Sequence, residues 1–180
     1  AGEDMFFSGP FANEQIPMYI GDSVEASYIP SKNPDLNWAT APIPQVSSDT
    51  AANLSAGHVI VALNTTGNAE KAYAAYEFIK FVTSYEANLA VVIGGTGYLP
   101  IRQSVVDSQE YQNYVAAGHD FLTAGVSQSS CYFYEPAFTN GVTTSSAVNS
   151  AVKTMMQEVA DTGVEPETAL NNLKQTVGLN

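Results

Sequence analysis

Gly94-Gly95-Thr96-Gly97-Tyr98-Leu99-Pro100-Ile101-Arg102 is the stretch whose reading decides the fold. It closes the apolar run Ala90-Val91-Val92-Ile93, places three glycines within four residues, and then presents a tyrosine and a proline. One reading is a dinucleotide site, with residues 90–93 as a strand and the glycines letting a pyrophosphate approach a helix N-terminus. Against it, Pro100 stands where a third glycine should let helix and strand pack, and residues 100–105 offer no long amphipathic helix. The other reading makes the preceding run a helix. Ser84 is its N-cap, Glu86 lies in its first turn, Ala87, Leu89, Ala90 and Ile93 are apolar, and Gly94-Gly95 close its C-terminus. The two readings part at one point: residues 86–93 are strand in the first and helix in the second.

The composition bounds the rest. A chain of 180 residues with 45% apolar residues can bury a core, as one domain or two small ones. Acids outnumber bases 18 to 6, and the net charge of −12 argues against nucleic acid and anionic membrane surfaces as partners, since both need clustered Lys and Arg. Cys131 is the sole cysteine, which excludes an internal disulfide and a thiolate metal cage. No run of 18 apolar residues is present.

Outward from the central stretch the pattern is α/β, helix-rich toward the C-terminus. Residues 1–8 read as the end of a helix before a Gly9-Pro10 turn, and residues 15–20 as a short strand. Asp22 or Ser23 caps a following helix, and residues 30–37 form a loop. Residues 54–63 are the best strand. Their run His58-Val59-Ile60-Val61-Ala62-Leu63 is continuous and β-branched, as expected of a strand covered on both faces. Asn68 caps the best helix, with Ala75, Phe78, Ile79 and Val82 on one face. Residues 109–117 and 120–125 read as short helices, 131–134 as an extended segment, 142–161 as a long helix, and 166–177 as a helix started by Pro166.

Catalytic and metal motifs are missing from the sequence: there is no Gly-x-Ser-x-Gly elbow, P-loop, His-Glu-x-x-His or EF-hand loop. His58 and His119 are the only histidines, and no spacing makes a metal site of them. The expectation is a non-enzymatic protein without cofactor or metal. Cys131, Met155 and Met156 read as packing residues. The aromatic residues carry more information. Tyr98 sits between Gly97 and Pro100 in a fixed loop, where its ring suits the C–H face of a polyhydroxylated ligand and its hydroxyl suits that ligand's hydroxyls. For Tyr132-Phe133-Tyr134, packing at a sheet edge is an equal reading.

The run Tyr76-Glu77-Phe78-Ile79-Lys80-Phe81-Val82-Thr83-Ser84, followed by Thr96-Gly97-Tyr98-Leu99-Pro100-Ile101-Arg102, resembles family 1 extracellular solute-binding proteins of ABC importers. Phe6-Phe7-Ser8-Gly9, Ala41-Pro42-Ile43-Pro44 and Glu165-Pro166-Glu167-Thr168-Ala169-Leu170 extend the resemblance over nearly the whole chain. It implies the C-terminal portion of a two-lobed, type II periplasmic-binding-protein-like fold that closes on a ligand. By motif order, residues 1–42 and 95–180 are implied in the second lobe and 54–83 in the first. Residues 43–53 and 84–94 then lie near the hinge crossings. The cleft residues implied are Gly97 and Tyr98, then Gly57 and His58, then Ser23 with Asp22 beside it, and Tyr134.

The implied role is an extracytoplasmic subunit, either a cell-surface lipoprotein or periplasmic, that binds a carbohydrate and docks on membrane permease subunits. Relatives that bind glycerol 3-phosphate carry an arginine near the Tyr134 region, whereas the only arginine here is Arg102. A neutral sugar is therefore ranked above glycerol 3-phosphate, and both above an NAD-dependent oxidoreductase. Self-association through residues 54–63 or 68–82 is also expected, because a strand of that composition needs cover and an edge partner.

Overall fold

Among the described residues, five helices begin where a side-chain oxygen meets an orphan backbone N–H. Asp22 accepts from Glu25 N at 2.8 Å, Asn68 from Lys71 N at 3.1 Å, and Ser84 from Ala87 N at 3.3 Å. Ser108 and Thr144 do the same for Tyr111 N and Ala147 N, each at 3.2 Å. Such caps satisfy donors that the helix cannot and set where it starts. The structure, a computed structural model, describes residues 6–63, 67–134 and 144–178. In chain order it holds α1 (Ser8–Ala12), α2 (Ser23–Ser27), α3 (Ile29–Lys32), β1 (Asn53–Leu54), α4 (Ala69–Val82), α5 (Tyr85–Ile93), α6 (Gln103–Val106), α7 (Gln109–Tyr114), α8 (Leu122–Ser127), β2 (Tyr132–Phe133), α9 (Ser145–Thr162) and α10 (Pro166–Thr176).

The chain divides into two units. The first comprises residues 1–53 and 57–132, the second residues 54–56 and 133–180. In the first unit, Ile29, Val92, Val105 and Leu122 are almost wholly buried, with Ala12, Ala26, Tyr111 and Phe121 around them. A row of rings runs through this core. Tyr19 meets Phe11 at 5.3 Å, Phe11 meets Trp38 at 6.5 Å, Trp38 stacks on Phe121 at 6.0 Å, Phe121 meets His119 at 6.1 Å, and His119 stacks on Tyr114 at 3.9 Å. Rings at these separations add to their area burial. They tie the connector after α3 to the turn before α8. In the second unit α9 packs on α10 as a hairpin, turned by Gly163 in the left-handed region at φ 69°.

Extended connectors replace most of the expected strands. The only sheet among the described residues is the pair β1–β2, and Ser55 N–H donates to Phe133 O beyond its end at 2.8 Å. The strand expected over residues 54–63 is confined to Leu54. Residues 55–63 lie outside any strand, with Val59, Val61 and Leu63 each at least 70% exposed. A β-branched run becomes a strand only when a neighbour takes its backbone groups, and none does here among the described residues. Residues 15–20 likewise run without a ladder.

Two further corrections concern proline. Gly9-Pro10 is not a turn but lies inside α1, and Pro30 lies in the first turn of α3 rather than in a loop. In a first turn the missing N–H has no partner to lose. Phe78 does not cover a core, being 60% exposed, and Met156 is 63% exposed. Of the long C-terminal helix, Val142 and Thr143 lie outside the described residues, as do residues 1–5 of the first expected helix.

Gln128, buried at the end of α8, holds the extended segment Ala41-Pro42-Ile43-Pro44 in place. Its Nε2 donates to Ile43 O at 2.9 Å, and its Oε1 accepts from Ile43 N at 3.0 Å and from Asn53 Nδ2 at 3.2 Å. This is ladder pairing made by one side chain, and it fixes a segment whose prolines cannot pair fully. Gln128→Leu, close in volume, strands those groups. It is expected to cost about 1–3 kcal/mol in urea denaturation, and an unchanged midpoint would mean the clamp contributes nothing.

Candidate functional site

α5 is a helix from Tyr85 to Ile93, and Gly94 caps its C-terminus. Residues 86–93 are therefore not the strand that a dinucleotide loop requires. From its end the chain enters a loop built to present Tyr98. Gly95 and Gly97 both take positive φ, at 79° and 76°. Between them Thr96 Oγ1 donates to Val91 O at 2.9 Å and accepts from Tyr98 N at 3.3 Å. Beyond Pro100, the buried Asn88 of α5 accepts from Ile101 N at 3.1 Å. Arg102 Nε donates to Thr83 O. The loop is thus tied to α5 on both sides of the tyrosine.

Gly97 is buried against the start of α2. A Cβ at this position would lie 2.7 Å from Ser23 O, 2.8 Å from Val24 Cα and 3.0 Å from Ser27 Cβ. Two of those atoms are backbone, so nothing yields cheaply. Glycine is needed here for both its conformation and its size. The consequence is that Tyr98 emerges next to Ser23, half-buried.

On its other side Tyr98 meets His58. The Tyr98 hydroxyl and His58 Nδ1 are 2.8 Å apart, and the rings are 5.5 Å apart at 58°. His58 and the neighbouring Gly57 are exposed, and no strand buries them as the apolar run after them suggested. Ser23, Gly97, Tyr98 and His58, chosen from separate parts of the sequence, thus come together in the first unit. Tyr134, the remaining candidate, belongs to the second unit and is 74% exposed. Its neighbour Tyr132 packs instead, donating its hydroxyl to Gly125 O at 2.7 Å.

The arrangement has the groups that binding needs. It offers a ring edge, a phenol, an imidazole and turn backbone, which together recognise hydroxyl groups and C–H faces. No cluster of three or more His, Cys, Asp or Glu among the described residues is placed to hold a metal ion. No helix among them is long and apolar enough to cross a membrane. His119 does not face this site; it stacks on Tyr114. Cys131 is half-buried, its thiol against Gln128 O at 3.1 Å.

Sequence reasoning missed the charged flank of α2. Burial, then Glu25 and Asp22, push the Tyr19 phenol up to about 12. Burial and the Asp22 charge hold the Glu25 carboxyl above the usual carboxylate range, while the backbone N–H groups of Phe7 and Ser8 pull it down. The signal available in the sequence was the Asp22-x-x-Glu25 spacing, which puts one acid at the N-cap and a second in the first turn of a helix.

The family model described as bacterial extracellular solute-binding protein matches residues 3–119. The chain belongs to that family of ligand-binding proteins. Membership supports a substrate-binding role outside the cytoplasm, with a small-molecule ligand and the permease subunits of an ABC importer as partners. No curated protein matches the chain.

The loop makes a paired prediction. Gly95→Ala meets open space and strains only φ, at about 1 kcal/mol. Gly97→Ala adds a collision with α2 backbone and is expected to cost about 2–4 kcal/mol. Urea denaturation of both variants checks this, and equal losses would mean that the contact with α2 is loose.

Proposed function

We propose that the chain binds a neutral carbohydrate as part of an extracytoplasmic subunit of an ABC importer, held at the cell surface as a lipoprotein or free in the periplasm. Tyr98 is the anchor, with His58, Gly57, Gly97 and Ser23 around it, and Tyr134 is proposed separately as a ligand-binding residue of the second unit. The observation that carries the reading is the 2.8 Å contact between Tyr98 and His58, 40 residues apart, beside the Gly97 approach to Ser23. A sugar ring against the Tyr98 face satisfies both requirements of such a ligand: apolar cover for its C–H face and donors or acceptors for its hydroxyls.

A phosphate ligand is the second reading, and Arg102 disfavours it because its Nε is engaged by Thr83 O. In the lobed arrangement proposed with this function, residues 1–42 and 95–180 serve the second lobe and 54–83 the first, with 43–53 and 84–94 near the crossings.

In the full-length protein Tyr98→Ala is expected to weaken carbohydrate binding by about 1–3 kcal/mol, the range for a pocket aromatic. Calorimetry against mono-, di- and oligosaccharides identified by thermal shift is the check. Wild-type affinity in that variant would leave Tyr98 as packing. Displacement of the sugar by millimolar glycerol 3-phosphate would favour the second reading.

We further propose that residues 1–180 alone self-associate through residues 54–63 or residues 68–82, where Val59, Val61, Phe78 and Phe81 are exposed. Exposed apolar surface of that kind recruits cover. Sedimentation is expected to give a dimer or larger species at micromolar concentration; a monomer at that concentration would refute self-association.

A further inference from the structure

A cavity of about 560 Å³ lies in the first unit between α1, α2 and α3. None of Ser23, Gly57, His58, Gly97 or Tyr98 lines it. Its wall carries Asp22 and Glu25 from α2, Lys32 from α3, and the apolar surfaces of Phe6, Val24 and Tyr28. The volume is within the range of small-molecule sites. Phe6 and Tyr28 are each more than half exposed, so part of the apolar wall is not spent on the core.

The charges on this wall stand apart. The one ion pair among the described residues is Lys80–Glu77 at 3.7 Å, so Lys32 pairs with neither Asp22 nor Glu25. The Lys32 ammonium lies over α1, where a Cβ on Gly9 would come within 3.3 Å of its Nζ. Glu25 Oε2 is shut off from solvent and accepts no hydrogen bond.

From this we propose that the cavity is a second binding site, for the zwitterion of an α-amino acid with an apolar side chain. The ligand's ammonium sits with Glu25 and Asp22, its carboxylate with Lys32, and its side chain against Phe6, Val24 and Tyr28. An ammonium there relieves the repulsion by Asp22 that helps hold the Glu25 carboxyl high. Aromatic walls beside an ammonium add attraction to the cation. A free amine leaves Lys32 without a counter-charge, and a free acid sets a carboxylate against two others. Only the dipolar molecule meets all three charges.

The test is calorimetry on the full-length protein with L-phenylalanine, with phenethylamine, which lacks the carboxylate, and with 3-phenylpropionate, which lacks the ammonium. Phenylalanine is expected to bind, and each analogue at least tenfold more weakly. Glu25→Gln and Lys32→Met are expected to lose phenylalanine binding by a similar factor. Glu25→Gln removes a desolvated charge beside Asp22, so its urea midpoint at neutral pH is expected at or above wild type. The advantage fades as pH falls through the raised Glu25 range, where the native carboxyl is already neutral. Tyr98→Ala should leave phenylalanine binding intact, which separates this site from the carbohydrate site. No heat with millimolar phenylalanine, or equal affinity for all three probes, overturns the proposal.

Discussion

Gly97 has no side chain, and the start of α2 leaves no room for one. That contact, with Ser23 O only 2.7 Å from where a Cβ would stand, is the constraint on which the candidate site depends. It brings together two segments more than 70 residues apart in sequence and fixes the direction in which the chain leaves the loop. The residue after it has to emerge beside α2, and that residue is Tyr98. Thr96, bonded to Val91 O and to Tyr98 N, keeps the loop from rotating, and Asn88 holds the exit through Ile101. Binding benefits because a ring held this way loses little freedom when a ligand arrives.

Around this contact the first unit is assembled from short helices that could not stand alone. Most have six residues or fewer, well below the length at which an isolated helix is stable in water. They persist because each is capped or packed. Asp22 caps α2, Ser108 caps α7, and the row of rings from Tyr19 to Tyr114 runs between the helices. Gln128 pairs with the backbone of Ile43 where prolines forbid a regular ladder. Side chains thus do the tying that a sheet would do in a conventional α/β unit.

How much the sequence made legible depends on the range of the physics involved. Caps at Asp22, Asn68 and Ser84, the stop at Gly94 and the start at Pro166 are local effects, and all appear where the residues put them. The extended state of residues 54–63 depends on a partner edge, a non-local condition that composition cannot express, and there the expectation of a strand failed. Gly97 and Tyr98 were legible as a fixed loop. Their sharing a cleft with His58 followed only from the family resemblance and not from local pattern, which put His58 at the start of a covered strand. Glu25 and Lys32 looked like ordinary surface charges, since only the folded arrangement of α1, α2 and α3 sets them on one cavity wall.

Membership of the bacterial extracellular solute-binding proteins gives these pieces a common purpose, and the central claim is that Gly97 places Tyr98 against His58. The most direct test is a long-range proton–nitrogen NMR spectrum of the imidazole rings. The His58 Nδ1 resonance is expected to shift on Tyr98→Phe, which removes only the hydroxyl, and to shift in the same direction on Gly97→Ala, while His119 stays unchanged. A His58 resonance indifferent to both substitutions would contradict that claim.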